Sequence, residues 1–174
     1  MLHPDYNYFP EPEEIKPHAM AFAQVMFAHA RLEAEVRALQ GAIADDWTFG
    51  EQRANQWRTR ERASRVLELI KTKLKGDVKE AESIAETLTR AINPCEQRNH
   101  LAHGEWWAFN PQTAEIIVRG GIRWDDEDHP PRHETYTASQ IEALAGSLTA
   151  LKDELVIHRR SIEAHRGIVP SDVD

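Results

Sequence analysis

The sequence is short of the features that mark secreted and membrane proteins. Cys95 is the only cysteine among 174 residues, which excludes an internal disulfide and a four-cysteine metal site. No apolar run approaches the roughly 20 residues that a helix needs to cross a bilayer. The first residues lack both the basic start and the apolar run of a signal peptide. We therefore expect a cytoplasmic protein with no membrane partner.

Positive charge is also scarce. Lys and Arg together number 21 against 29 Asp and Glu, so the net charge is −8. This balance excludes a protein that coats nucleic acid by electrostatic attraction alone, but it leaves room for a confined site with a few local cations. The hydrophobic fraction of 41% is that of an ordinary globular protein, and the length fits one domain.

Apolar residues recur at three- and four-residue steps, the pattern of amphipathic helices. This periodicity predicts four helices, over 18–44, 51–75, 77–103 and 137–165. Four prolines in the first 17 residues predict an extended arm over 1–17, and residues 166–174 are expected to form a tail.

Local signals place several helix boundaries. Asn93-Pro94 predicts a kink or a restart within the third helix, since Asn is a good N-cap and Pro is favoured at a first helical position. Gly104 is expected to end that helix. Thr137 and Gln140 form a capping-box pattern at the start of the fourth helix.

The sequence pattern of residues 105–136 differs from that of the predicted helices and predicts a β-hairpin. Aromatic residues precede an Asn110-Pro111 turn, and the run Glu115–Arg119 follows it. After the Gly120-Gly121 pair a second run, Ile122–Trp124, leads into an acidic, proline-containing loop. The predicted fold is therefore all-α, a four-helix up-down bundle over 18–165 with a β-hairpin inserted between the third and fourth helices.

Polar residues collect at the end of the third helix. At 100° per residue, Arg98, Asn99 and His103 fall on the side that is apolar in the earlier turns. His100 and Leu101 point away from that side, so His100 is expected to be expendable for chemistry.

Two interpretations of these three residues stay open at this point. One is the polar end of a buried seam, with each side chain hydrogen-bonded. The other is a phosphate site, in which the Arg98 guanidinium holds phosphate oxygens, the His103 imidazole moves a proton, and the Asn99 amide orients either one. One chain supplies one Arg and one His, and a two-fold dimer would supply two of each.

The segment Arg98-Asn99-His100-Leu101-Ala102-His103-Gly104 resembles the motif of HEPN domains, which is an Arg, a polar residue, three further residues and a His. The motif lies late in the third of four predicted helices. The run RNHLAHGEWW, the hairpin and the Tyr-Thr capped final helix are similar to small bacterial and phage HEPN-like proteins. The resemblance covers roughly residues 18–165.

The resemblance implies a metal-independent endoribonuclease that needs no cofactor and acts as a homodimer with a composite site. Carried over, His103 is the general acid and base, Arg98 stabilises the phosphate, and Asn99 supports them. The product would be a cyclic phosphate end. A toxin or phage-defence setting and an antitoxin partner are further implications. Glu105 stands where toxins paired with a nucleotidyltransferase antitoxin carry Tyr, so regulation through that Tyr is not expected.

Several other residues are candidates for supporting roles. His29 and Glu33 on the first helix are candidates to orient His103, although a hydrogen-bonded core histidine is the alternative for His29. The candidate RNA contacts are Arg58, Arg62, Arg65 and Trp106. For these arginines the alternative is a solvated helix face balanced by neighbouring Glu residues. For the tryptophans of the insertion, the alternative to stacking on RNA bases is hydrophobic cover of the hairpin or a dimer contact.

Two rival functions remain beside the ribonuclease. The first is a HEPN module that binds RNA or another protein without turnover. The second is a metal-dependent phosphoesterase that uses the histidines, among them His100 and His103 at i, i+3 spacing.

Overall fold

A computed structural model describes residues 5–8, 10–44, 59–74, 78–120 and 132–166. These residues are mostly helical, as the sequence predicts, with one small antiparallel sheet. The helices are α1 (Pro12–Ala44), α2 (Thr59–Lys73), α3 (Val78–His103) and α4 (Ala138–His165). The strands lie between α3 and α4 and are β1 (Glu105–Asn110), β2 (Glu115–Gly120) and β3 (Arg132–Thr137). None of the described helices combines the length and the apolar character that a membrane span requires.

The chain divides into two compact units. One takes in Met1–His29 and Pro94–Ser147, and therefore the whole sheet. Its buried side chains include Val25, Leu101, Ile116 and Ile141. The other takes in Ala30–Asn93 and Leu148–Asp174, and its core includes Leu32, Leu39, Ile84, Leu88 and Leu155. Apolar residues at helical spacing contribute to both cores, which is the pattern that predicted the helices, and the strands add further buried side chains to the first.

The first helix begins at Pro12 rather than near residue 18, so the predicted extended arm over 1–17 is too long. Proline is favoured at a first helical position because no amide hydrogen bond is lost there. The Glu14 carboxylate caps this end by accepting from the Glu11 amide at 2.8 Å. Pro17 stands inside the helix at the loss of one hydrogen bond. The part of the arm at Asn7 is extended and pairs with Phe109 of β1.

The third helix runs through Pro94 without a restart and ends at His103. Gly104 then closes it by donating its amide to the His100 carbonyl at 2.8 Å, so the predicted stop is confirmed. The start of the last helix is confirmed as well. Thr137 and Gln140 exchange backbone-to-side-chain hydrogen bonds of 2.8 and 3.2 Å, as a capping box requires. The predicted second helix over 51–75 is described only from residue 59 to residue 73.

The predicted hairpin is formed by β1 and β2, whose turn is stabilised by the Asn110 side chain accepting from the amides of Gln112 and Thr113. The predicted run Ile122–Trp124 lies outside the described residues. A third strand, β3, pairs antiparallel with β2 and begins within the predicted loop. Its residues, RHETYT, include charged side chains that mask the strand pattern, and pairing with β2 supplies the stabilisation that local propensity does not.

His18 of α1 holds this turn from the opposite side. Its imidazole is 2% exposed and its Nε2 lies 3.1 Å from the Ala114 carbonyl. Because a carbonyl only accepts, Nε2 must carry the proton. Ala114 has φ of 52°, in the left-handed region that costs energy for a residue other than Gly. The hydrogen bond therefore helps to hold a strained turn.

His18 should make the stability of the protein depend on pH. Burial lowers the pKa of His18 from its ordinary value of 6.5, while the hydrogen bond to Ala114 opposes the shift. The unfolded chain therefore binds a proton more readily, so this contribution to stability is present above pH 6.5 and is lost as the pH falls through the folded-state pKa. We expect the urea midpoint to fall more steeply below pH 6.5 in the wild type than in His18→Gln. Parallel profiles for the two proteins would contradict the assignment.

Candidate functional site

Arg98 and Asn99 lie together near the end of α3. Arg98 is half-buried and donates through Nη1 to Asn99 Oδ1 at 3.0 Å, while Asn99 is exposed. Arg98 Nε is buried and has no hydrogen-bond partner among the described residues. An unpartnered buried N–H costs about 1–3 kcal/mol, and an acceptor atom from a ligand would remove that cost.

His103 is the last residue of α3 and is exposed. It follows Asn99 by one turn, so both side chains lie on the same side of the helix end. The structure therefore brings Arg98 and Asn99 into contact and presents His103 to solvent one turn further on. An exposed imidazole is available to a substrate, as a proton-transfer group must be.

The predicted orientation of His100 and Leu101 is wrong. Leu101, expected to point away from the core, is 1% exposed. His100 is nearly buried and donates through Nε2 to the Val118 carbonyl at 3.2 Å. Its ring also lies 6.3 Å from the Tyr136 ring, centroid to centroid, and Glu134 is near. His100 therefore anchors the end of α3 to the sheet and is not expendable for structure.

The sheet is the reason for this difference. A helical wheel drawn for a bundle assumes one buried side, but β1 and β2 fold back onto the end of α3 and cover a second side. The Trp106 indole donates to the Leu101 carbonyl at 3.0 Å. At Gly120 an added Cβ would lie 2.5 Å from His100 Nδ1, so the glycine makes room for the imidazole.

Gly104 is where the helix end and β2 approach most closely. A Cβ there would lie 2.5 Å from both the His100 carbonyl oxygen and Val118 Cγ1, and 3.2 Å from the Arg119 carbonyl oxygen. Two of these three atoms belong to the backbone, so they cannot rotate away. The chain can therefore turn from α3 into β1 at this distance only with glycine at position 104.

Gly104→Ala is accordingly expected to destabilise the fold by about 3 kcal/mol, at the upper end of overpacking effects. Urea denaturation of the full chain measures the change. Gly146→Ala is the matched control, because Gly146 lies within α4 and a Cβ there would meet nothing within 4 Å. That variant should gain up to about 1 kcal/mol from helix propensity. Equal midpoints for the two variants would show that the close approach at Gly104 is absent.

The structure leaves most of the predicted supporting roles as predictions. His29 is buried and Glu33 is half-buried, and both lie on α1. The side chains of Arg58 and Arg62 lie outside the described residues. Arg65 is exposed and paired with Glu68 at 3.1 Å, an arrangement typical of a solvated helix face.

Trp106 is occupied by structural contacts. Besides the hydrogen bond from its indole, its ring packs edge-on against Phe22 of α1 at 5.5 Å. These contacts favour the alternative of hydrophobic cover over that of an RNA contact.

Sequence reasoning missed a second cluster, on the other face of the sheet. Trp107 is the extra residue of a bulge in β1, between the pairs Trp106–Val118 and Ala108–Ile117. The Arg119 guanidinium carbon lies 5.7 Å from the Trp107 ring centroid, and the rings of Tyr8 and His133 meet Trp107 edge-on at 5.2 and 5.6 Å. The only sequence signal was the adjacent tryptophan pair, because the pairing of β3 brings in His133.

No family model matches the chain, and neither does any curated protein or any solved structure. The chemistry of the site is therefore argued from its own residues. In the part of the chain that the structure describes, no three His, Cys, Asp or Glu side chains lie close enough together to hold a metal ion.

Proposed function

We propose that the protein is a metal-independent endoribonuclease of the HEPN type. The observation that carries the proposal is a half-buried guanidinium near the end of a helix whose last residue is an exposed histidine, with an Nε that no described residue partners. Arg98 and Asn99 are in contact, and His103 follows one turn later. Guanidinium and imidazole are the groups that hold a phosphate and move a proton beside it.

In the proposed reaction His103 removes the proton from a ribose 2′-hydroxyl. The 2′-oxygen then forms a bond to the adjacent phosphorus as the bond from phosphorus to the 5′-oxygen breaks. Arg98 neutralises the charge that develops on the phosphate oxygens. A second imidazolium donates a proton to the leaving 5′-oxygen. The products are a 2′,3′-cyclic phosphate and a 5′-hydroxyl, and the reaction consumes no water in this step.

The second imidazolium is the reason that we also propose a homodimer. One chain contributes a single His103, and a two-fold axis through the site would bring His103 of the partner subunit to the opposite side of the phosphate. We propose with it that the four helices form the up-down bundle of HEPN domains. A toxin or phage-defence role, with an antitoxin protein as regulator, belongs to the same proposal.

The test is to incubate the purified full chain with mixed RNA in excess EDTA. The proposal expects cleavage with cyclic phosphate ends, and a dimer by light scattering. Cleavage that begins only after a divalent metal is added would instead indicate the phosphoesterase. RNA binding without cleavage at any protein concentration would indicate the non-catalytic module. His103→Ala protein purified in the same way controls for contaminating nucleases.

A further inference from the structure

One face of the sheet is not used for packing against α3. Val118 and Gly120 of β2 lie against the helix end, so the intervening Arg119 points to the opposite face, because side chains alternate along a strand. Arg119 is paired in register with Glu105 on one side and His133 on the other. The bulge in β1 adds Trp107 to the same surface. We call Tyr8, Trp107, Arg119 and His133 the outer platform.

Within the described ranges, the guanidinium of the outer platform lies over an aromatic ring and forms no ion pair with a carboxylate. Arg119 Cζ lies 5.7 Å from the Trp107 ring centroid. Its Nε is buried with no hydrogen-bond partner within the described ranges. Glu105 stands directly opposite Arg119 in the register of β1 and β2. Among the described residues, Arg119 therefore has its charge balanced by no carboxylate and its Nε satisfied by no acceptor.

The remaining members of the outer platform are aromatic. The rings of Tyr8 and His133 both meet Trp107 edge-on, which fixes the indole in place, and His133 itself is exposed. Fixed aromatic rings bind nucleic-acid bases by stacking whatever their sequence, and an adjacent arginine binds the phosphate that follows. A base must leave its own stack to reach such a ring, so the ligand is single-stranded.

The outer platform also adjoins the end of α3. The Arg119 carbonyl is one of the atoms that an added Cβ at Gly104 would approach, at 3.2 Å, and Gly104 directly follows His103. A strand whose phosphate lies at His103 therefore has the outer platform within reach of its neighbouring nucleotides. Arg98 and Arg119 each have a buried Nε with no hydrogen-bond partner among the residues that the structure describes.

We propose that the outer platform binds single-stranded RNA and positions it for the site at Arg98 and His103. The identity of the ligand rests on the proposed function. Arg119 contacts a phosphate and Trp107 stacks on a base. The platform is a binding surface and takes no part in the bond-breaking step.

The experiment measures binding of a labelled single-stranded RNA in EDTA by fluorescence anisotropy, using the full-length His103→Ala protein so that the RNA stays intact. Adding Arg119→Gln should weaken binding by about 10-fold and lower the dependence of log K on log salt by about one. Adding Trp107→Leu should weaken binding by about 10-fold with the salt dependence unchanged, since stacking is lost but no charge. Arg160→Gln, at an exposed position of α4, is the matched control and should leave affinity unchanged.

A duplex of the same sequence should bind at least 10-fold more weakly than the single strand. Circular dichroism verifies the fold of each variant. If Trp107→Leu fails to fold, the Arg119→Gln variant alone tests the platform, because that variant keeps the Trp107 indole. Affinity in Arg119→Gln equal to that of the control would overturn the platform.

The same variants, made with His103 intact, separate the platform from the proposed catalysis. RNA cleavage with an unchanged KM in Arg119→Gln would overturn the platform and leave the ribonuclease standing. Binding that depends on Arg119 in a wild-type chain without cleavage would support the platform and overturn the catalysis. Absence of any RNA binding would overturn both.

Discussion

Replacing His103 with alanine is expected to lower the rate of RNA cleavage by about 100- to 10,000-fold, the usual contribution of a general acid or base. The affinity for RNA should stay within about two-fold, since the main contacts of the proposed complex come from arginine and aromatic side chains. Initial rates at saturating RNA in EDTA measure the first effect, and anisotropy measures the second. Because His103 is exposed at the helix end, the substitution leaves no cavity, and the thermal midpoint should not change.

Two other histidines serve as controls for His103. His165→Ala alters an exposed histidine at the end of α4 and should leave cleavage unchanged. His100→Ala removes the hydrogen bond to Val118 and should lower the thermal midpoint, because it leaves space beside Gly120. If His100→Ala lost activity at full stability while His103→Ala stayed active, the catalytic role would belong to His100 and not to His103. Added imidazole should restore part of the activity of His103→Ala but none to an unfolded variant.

Arg159→Met is expected to cost about 3–5 kcal/mol of folding free energy, as breaking a buried ion pair on one side typically does. The guanidinium donates to Glu35 Oε1 at 2.6 Å and to Glu163 Oε1 at 2.7 Å. Exposure is 16% for the arginine side chain, 11% for Glu35 and 1% for Glu163. Burial lowers the pKa of Arg159, but the hydrogen bonds to the two carboxylates outweigh it and hold the pKa above its usual value. Without the arginine, two carboxylates would face each other in a buried space.

Urea denaturation of the full chain tests this expectation. Arg160→Met, the exposed neighbour on the same helix, should change stability by less than about 0.5 kcal/mol. A triple variant that also carries Glu35→Gln and Glu163→Gln should recover most of the loss. Equal stability of Arg159→Met and Arg160→Met would show that the buried triad does not hold this unit together.

Signals carried by a few adjacent residues predicted the helix and hairpin ends well. The capping pair Thr137 and Gln140, the stop at Gly104 and the Asn110 turn all act through hydrogen bonds within four residues, so the sequence contains both partners. The predicted start of α1 is wrong because proline breaks a helix in its interior but is favoured at its first position. At Pro12 it occupies the first position of the helix, where its missing donor costs nothing.

Features that depend on contacts between residues far apart in the sequence could not be predicted from the sequence. The third strand is stabilised by pairing with β2, twelve or more residues earlier, and its first residues lie in a predicted loop. The burial of His100 and Leu101 likewise depends on where the sheet folds back, which periodicity along α3 does not contain. Arg98, Asn99 and His103 stay a predicted site near the helix end, where only Arg98 is half-buried. For the outer platform, the adjacent tryptophan pair was the only local signal.

Pro94 has a consequence for how α3 behaves as a mechanical element. A proline inside a helix contributes no amide proton, so the carbonyl of Arg90, four residues earlier, receives no hydrogen bond from it. The division of the chain into two compact units falls at the same point, between Asn93 and Pro94. The helix is therefore continuous but lacks one backbone hydrogen bond at the point where the chain passes from one unit to the other. The amide protons next to Pro94 are expected to exchange with solvent faster than those in the middle of the helix on either side.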